Sequence, residues 1–489
     1  MRLKIREWGL GAGRPVAFVH EADAKKLNIH VGDRLEVSYN GGKLVAIVDI
    51  VHGFLKKGEI SLSEEIMEYL KIKPKSFVEV NPSLEPKSSF YIAKKLAGRA
   101  LARAEIYHIV RDMANNALTE AEIAYFVSGV YEHGMSKEET INLTEAMYKT
   151  GQVINWGAKK IADKHSIGGI AGNRTTPLVV SICAAAGITM PKTSSRAITS
   201  AAGTADVMET IANVEFPVDK LKKIVQKAGA CFAWGGSLGL APVDDKLIRV
   251  ERLLNLDPES QLIASILAKK LAVGSKYVLI DIPYGKNAKV NLQKAKRLSA
   301  KFIEIGRHFK LNLRTVLTEG SEPIGNGIGP VLEMIDVLRV LKRTNPPRDL
   351  ENKGVMLAGI ILEMLSKAKK GKGEKLAQDI LDSGKAYKKF CEIIEVQGRK
   401  NTVLKPAKFA QWIKSNSSGK ITAIDNRCIN LLGRILGCPV DKTSGIYLYK
   451  HVGDEVRKGE PVMTLYAESP KKLKEALSFL RESKPISIK

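Results

Sequence analysis

The chain has 489 residues, of which 44% are hydrophobic, and a net charge of +25 from 77 Lys and Arg against 52 Asp and Glu. The length implies two to four domains, and no apolar run of about 18 residues or apolar N-terminal signal core occurs, so a cytoplasmic protein with no membrane partner is expected. The five cysteines are scattered, odd in number and without a C-x-x-C pair, which argues against a disulfide framework or a zinc site.

The basic balance invites a nucleic-acid partner. Its lysines, however, fall in charged stretches such as 367–375 and 471–474, with no aromatic–basic stripe for stacking bases. A solvated Lys-rich surface that attracts an anionic substrate is expected, with no nucleic acid bound. A nucleic-acid-binding or adaptor protein is the alternative of a different class.

Residues 1–84 read as one unit. Val16–Val19, Arg34–Tyr39, Lys43–Val51 and Ser76–Val80 are β-branched segments bounded by Gly, Asn and Pro. Two short helices, Ala22–Leu27 and Glu64–Leu70, each lead into a similar turn and strand, Ile29-His-Val-Gly-Asp-Arg-Leu-Glu-Val and Ile72-Lys-Pro-Lys-Ser-Phe-Val-Glu-Val. The duplication predicts a small pseudo-symmetric β-barrel of double-psi type with an assembly role. Asn81–Ser89 reads as a linker. Helices follow to about Gly151, two of them opened by the capping boxes Thr119-Glu-Ala-Glu and Ser136-Lys-Glu-Glu.

From about Asn155 strands alternate with helices, the pattern of an α/β domain. The stretch Asp163-Lys-His-Ser-Ile-Gly-Gly-Ile-Ala-Gly-Asn-Arg-Thr-Thr-Pro177 puts a glycine turn before a helix predicted over Leu178–Ala186. Such a turn lets the backbone approach an anion, while Lys164 supplies charge and Ser166 and Thr176 hydroxyls. A second stretch, Ser194-Ser-Arg-Ala-Ile-Thr-Ser-Ala-Ala-Gly-Thr-Ala-Asp206, offers further hydroxyls and an arginine that can fork two phosphate oxygens. It precedes a helix predicted over Ala205–Ala212, for which Thr204 is a candidate N-cap. Two such loops about 30 residues apart outweigh either alone. Neither matches the Walker A or the Rossmann pattern.

Further along, Asp257-Pro-Glu carries an N-cap signal, with Pro258 at the first helical position. Ser265 and Lys269 lie four apart, on one helical face. Tyr284-Gly-Lys-Asn-Ala-Lys289 follows a buried-type strand, at the end where α/β sites form, and brings two lysines. The tail, from Gly445 to Tyr466, reads as a strand, a Gly-Asp turn and a strand, a hammerhead-like hairpin without a modifiable lysine in lipoyl context. The eight histidines include no close pair at ligand spacing, so no metal is expected.

The motifs Lys164-His-Ser-Ile-Gly-Gly169 and Ser194-Ser-Arg-Ala-Ile-Thr199, with Gly203-Thr-Ala-Asp206, resemble the phosphate loops of the thymidine and pyrimidine nucleoside phosphorylase family, and most closely its archaeal AMP phosphorylase branch. The similarity runs from about Lys87 to the C-terminus. It implies an α/β protein: a β-barrel over 1–84; a helical lobe over 85–155 and about 242–272 that forms a homodimer contact; a large α/β domain with a mixed sheet over 156–241 and 273–410; and an α+β portion over 411–489. A larger homo-oligomer through the barrel is expected.

By the same resemblance Lys164, Ser166, Ser194 and Thr204 hold inorganic phosphate, which is a substrate, and no cofactor is needed. Gly169, Ser195, Arg196, Ala197, Ile198, Thr199, Ser200, Thr204, Ser265 and Lys289 contact the nucleotide, and Asp257 is the proton donor. An N-cap lowers a carboxyl pKa whereas a general acid needs a raised one, so cap and acid compete as roles for Asp257. The arginine by which pyrimidine phosphorylases read their base is Val250 here, which favours adenine. The implied reaction is AMP and phosphate to adenine and ribose 1,5-bisphosphate, with CMP and UMP as further substrates. A thymidine or pyrimidine nucleoside phosphorylase is the alternative within the class.

Overall fold

Alternation of apolar residues in the first 83 positions closes a barrel around Leu3, Val19, Leu35, Val48, Ile60 and Val80. The protein is described by a computed structural model covering residues 1–83, 85–157, 160–197, 200–254 and 256–489. The barrel strands are β1 (Arg2–Ile5), β2 (Val16–His20), β3 (Arg34–Tyr39), β4 (Gly42–Val51), β5 (Glu59–Leu62) and β6 (Phe77–Pro82), closed in the order β1-β5-β2-β4-β3-β6.

β1 runs parallel to β5 and antiparallel to β6, while β4 runs parallel to β2 and antiparallel to β3. The duplicated sequence is thus a duplicated structure, since exchanging the halves maps the strand order onto itself. Two strands escape the sequence reading. β1 and β5 have four residues each, too few for alternation to stand out, and they form by pairing across the barrel.

The first unit holds the helices Lys87–Leu96, Arg103–Ala114, Glu120–His133, Lys137–Lys149 and Pro242–Leu254, and the two expected capping boxes open the third and fourth. Thr119 and Ser136 accept the Glu122 and Glu139 amides, and those glutamates accept the Thr119 and Ser136 amides in return. Arg34 of β3 pairs with Glu122 and donates to the Ala117 carbonyl at 2.8 Å. Barrel and helices therefore make one compact unit, residues 1–150 and 242–265. The sequence reading separates them and ends the returning segment near 272. The contacts instead divide the helix Glu259–Val273 between Ser265 and Ile266.

The second unit comprises residues 151–241 and 266–489. Its α/β part holds β7 (Ala162–Ser166), β8 (Met190–Ser194), β9 (Ala230–Trp234), β10 (Tyr277–Tyr284) and β11 (Asn312–Glu319). β10 pairs in parallel with β7 and β11, β8 pairs in parallel with β9, and a parallel bridge from Ile161 to Thr189 joins the two sets. Toward the C-terminus Gly327–Ile328, Gly445–Leu448, Pro461–Ala467 and Phe409–Lys414 form one antiparallel sheet. The hairpin expected there is present. Among the described residues no helix is long and apolar enough to cross a membrane.

One buried ion pair anchors the helices of the first unit. Lys95 Nζ lies 3.0 Å from Glu139, and the same carboxylate accepts the Leu101 and Ser136 amides. Burial pushes the Glu139 pKa up, but those amides and Lys95 outweigh it and hold the carboxyl below its ordinary range. Glu139→Ala strands the Lys95 ammonium and should cost about 3–5 kcal/mol in urea unfolding. An unchanged unfolding midpoint would contradict this account.

Candidate active site

Strand alternation splits the side chains of β7 between two faces. Asp163 points to Lys192 of β8, at 3.2 Å, and to Lys270, at 2.6 Å. Burial pushes the Asp163 carboxyl up, but these two cations overcome it and keep it below the ordinary carboxylate range. Lys164 points the other way and donates to Thr175 Oγ1 at 2.9 Å. On that side Asp281 of β10 accepts from Thr318 at 2.6 Å and lies 3.2 Å from Lys353.

These groups are buried: Lys164, Lys192, Lys270, Lys353 and Arg174 are basic, and the same unit buries the carboxyls of Asp163, Asp206, Asp281, Glu333, Asp336 and Glu351. Lys164 is bonded to a hydroxyl and makes no ion pair among the described residues. The buried Asp206 nearby is matched by its own cations, Arg196 and Lys442. Burial pushes the Lys164 pKa down to about 8 and that of Lys270 to about 7, against the pull of the nearby aspartates. His165 is driven well below its ordinary value by burial and by Lys270 and Lys192, which leaves its imidazole neutral at pH 7. A buried ammonium without a carboxylate partner is stabilised by a bound anion.

The first loop leaves β7 through Gly168 and Gly169, with φ of +87° and +92°. Only glycine holds such angles without strain. A Cβ on Gly169 would lie 2.9 Å from Lys289 Cγ, so the structure brings together two residues that the sequence placed in the site. Lys289 is exposed. Ser166 ends β7 half-buried and accepts weakly from the Gly168 amide at 3.4 Å. The helix after the loop runs over Thr175–Ala185, three residues ahead of the predicted start.

The second loop leaves β8 at Ser194, whose hydroxyl donates to the Ala233 carbonyl at 3.4 Å. Ser195 is exposed, and Ser200 donates to the Ala202 carbonyl at 2.9 Å. Asp206 organises the turn: its Oδ2 accepts the Ala197 amide at 2.7 Å and the Gly203 amide at 2.9 Å. Gly203, not Thr204, is the N-cap of the helix, which runs only over Thr204–Met208. Ile198 and Thr199 lie outside the described residues.

Arg196 departs from the sequence reading. Its guanidinium makes a 2.8 Å fork with Glu209, pairs with Asp206 and Glu215, and sits 4.8 Å over the Trp234 ring. The hydrogen bonds from Glu209 and Glu215 outweigh partial burial and raise its pKa. Three carboxylates so occupy the side chain that it anchors the loop rather than forking phosphate oxygens. The sequence showed the arginine but not these partners.

Arg174 is the residue that sequence reasoning missed. It is quoted within the first motif, without a role. It donates to Glu333 at 2.7 Å, to Thr204 Oγ1 at 2.7 Å and to the Ala202 carbonyl at 2.8 Å, tying the first loop to the second. Because the Thr204 oxygen accepts from Arg174, its own proton is left to donate elsewhere.

Asp257 and Ser265 belong to the first unit, and Lys269 to the second. Pro258, not Asp257, takes the N-cap position: its carbonyl accepts the Leu262 amide at 2.9 Å, and the helix runs over Glu259–Val273. Asp257 stands one residue further out, exposed. The N-cap position expected for Asp257 is thereby corrected to Pro258. Ser265 and Lys269 are both half-buried, while Lys270 beside them is buried against Asp163. Val250 is buried in the helix Pro242–Leu254.

Comparison with known proteins finds three family segments along the chain. A profile described as "Glycosyl transferase family, helical bundle domain" matches residues 90–151, one described as "Glycosyl transferase family, a/b domain" matches 158–387, and "Pyrimidine nucleoside phosphorylase C-terminal domain" matches 420–487. The chain is 46% identical to the AMP phosphorylase of Pyrococcus horikoshii, covering 100% of this chain and 98% of that one. It is 41% identical to the AMP phosphorylase of Natronomonas pharaonis, covering 98% and 96%. Among solved structures, anthranilate phosphoribosyltransferase from Thermus thermophilus covers 63% of this chain and 98% of its own, with a TM-score of 0.52 and 17% identity, a likeness of fold alone.

The charge state of Lys164 sets a pH limit on anion binding. It is cationic below about pH 8 and neutral above. Calorimetric affinity for inorganic phosphate should therefore hold up to that pH and then fall, by up to about tenfold per pH unit. A flat profile to about pH 9.5 would take Lys164 out of the anion site.

Proposed function

The chain belongs to the AMP phosphorylases, and on that footing we propose that it converts AMP and inorganic phosphate to adenine and ribose 1,5-bisphosphate. The C1′–N9 bond breaks, a phosphate oxygen bonds to C1′, and the departing base gains a proton. The observation that carries this reading is buried Lys164, held by a hydroxyl and by no ion pair among the described residues, beside two glycine-containing loops. In this reading Lys164, Ser166, Ser194 and Thr204 hold the attacking phosphate, which also stabilises the oxocarbenium character of the transition state.

By the resemblance read from the sequence, Gly169, residues 195–200 and Ser265 contact the nucleotide. Lys289, against Gly169, takes the 5′-phosphate. Asp257, which is exposed, protonates the base by the same resemblance. His165 is the poorer donor, since its imidazole is held neutral. No cofactor or metal enters the scheme. Buried Val250 in place of a carbonyl-reading arginine suits adenine, and CMP and UMP are further substrates.

The protein works in the cytoplasm, where its five free thiols stay reduced. It assembles as a homo-oligomer through the helical lobe, where Phe90, Tyr125 and Tyr131 are 73%, 57% and 55% exposed, and through the barrel, where Trp8 is 47% exposed. Light scattering should then give a mass of several times 53.5 kDa. A monomer mass would contradict it.

The test of the reaction is a substrate panel with one variant. The kcat/KM for phosphorolysis should be highest for AMP, lower for CMP and UMP, and lowest for thymidine and uridine, which lack a 5′-phosphate. Asp257→Asn should keep its fold and AMP affinity and lose about 10²–10⁴-fold in kcat. A preference for thymidine or uridine would favour the nucleoside phosphorylase alternative. Near-wild-type turnover of Asp257→Asn would remove the residue from proton transfer.

A further inference from the structure

The loops that carry the site leave the C-terminal ends of β7, β8, β10 and β11. Each of them is tied to one short stretch of the C-terminal portion, Ile424–Asn430. The Ala171 amide, after β7, donates to Asn426 Oδ1 at 3.1 Å. The Ala201 amide, after β8, donates to Asn430 Oδ1 at 3.0 Å. Asn287, after β10, donates its side-chain amide to the Ile424 carbonyl at 3.3 Å. The Gly320 carbonyl, after β11, accepts from Asn426 Nδ2 at 3.1 Å.

The two asparagines are four residues apart on the helix Asn426–Ile435, hence on one face. Asn426 is 0% exposed and Asn430 6%. Both side-chain oxygens accept from loop amides. A loop amide buried without such an acceptor would turn elsewhere or cost stability. The helix also approaches the second loop closely, since a Cβ on Gly433 would lie 2.8 Å from Ala201 Cβ.

We propose that Asn426 and Asn430 are positioning residues for the anion site. They fix the backbone of both glycine-containing loops in the conformation that receives phosphate and nucleotide, which gives the C-terminal portion a role in catalysis. The inference rests on the phosphorolysis reading for its kinetic form and on phosphate binding alone for its equilibrium form.

The experiment compares Asn426→Ala, Asn430→Ala and a control, Leu432→Ala, which removes a core side chain from the same helix without touching either loop bond. The asparagine variants should raise the KM for phosphate and for AMP by about tenfold each, with small changes in Tm. Leu432→Ala should lower Tm and leave both KM values within about twofold, as a loss of packing does. Should Asn426→Ala not fold, Asn430→Ala decides alone. Unchanged KM values in a folded Asn430→Ala, or equal KM rises in Leu432→Ala, overturn the proposal. If the wild-type protein does not phosphorolyse AMP, the reaction assignment fails by itself. Calorimetry with inorganic phosphate then still decides the positioning role: about tenfold weaker binding by Asn430→Ala supports it, and equal binding overturns it.

Discussion

A lysine buried in a parallel sheet with a hydroxyl for its bonded partner, Lys164, is the constraint on which the site of the second unit depends. Each ammonium taken from water must be returned most of its solvation by neighbours. Asp163 serves Lys192 and Lys270, Asp281 serves Lys353, and Glu333 serves Arg174. Lys164 gets a hydroxyl, from Thr175, and no carboxylate of its own among the described residues. Its depressed pKa is the price of that arrangement, and a phosphate dianion is the natural remedy.

Rigidity follows from the same need. A buried charge serves an anion only if the groups around it stay put, since electrostatic stabilisation requires preorganised donors. Arg174 ties the first loop to the second at Thr204 and Ala202. Asp206 gathers the amides of Ala197 and Gly203, while Arg196 is neutralised by carboxylates at the rear. The helix beginning at Asn426 holds the loops from a further side. The arginines here are structural clamps.

Much of this was legible in the sequence because it is local. Glycine before a helix, hydroxyls in a run and S/T-x-x-E boxes signal over a few residues, and the loops, the helix starts and the barrel duplication follow from them. The pairings that are distant in sequence were not legible. Asp163 with Lys270, Lys164 with Thr175 beside Asp281 and Lys353, and Ala171 with Asn426 are joined by topology, and no spacing rule announces them. The register of the Asp257-Pro258 start was missed by one residue, because Asp-Pro-Glu permits two cap positions and only the Leu262 amide chooses between them. Strands of four residues, as in β1, carry too little pattern to be seen before their partners are known.

The central claim is that bound phosphate is the nucleophile at the anomeric carbon. Phosphorus NMR of the wild-type protein with AMP and inorganic phosphate tests it most directly. The account predicts that the inorganic phosphate signal falls in step with adenine release, while a sugar bisphosphate grows in with one phosphate at C1 and one at C5. Adenine release with inorganic phosphate unchanged, or a growing phosphate signal from loss of the 5′-group, would contradict it.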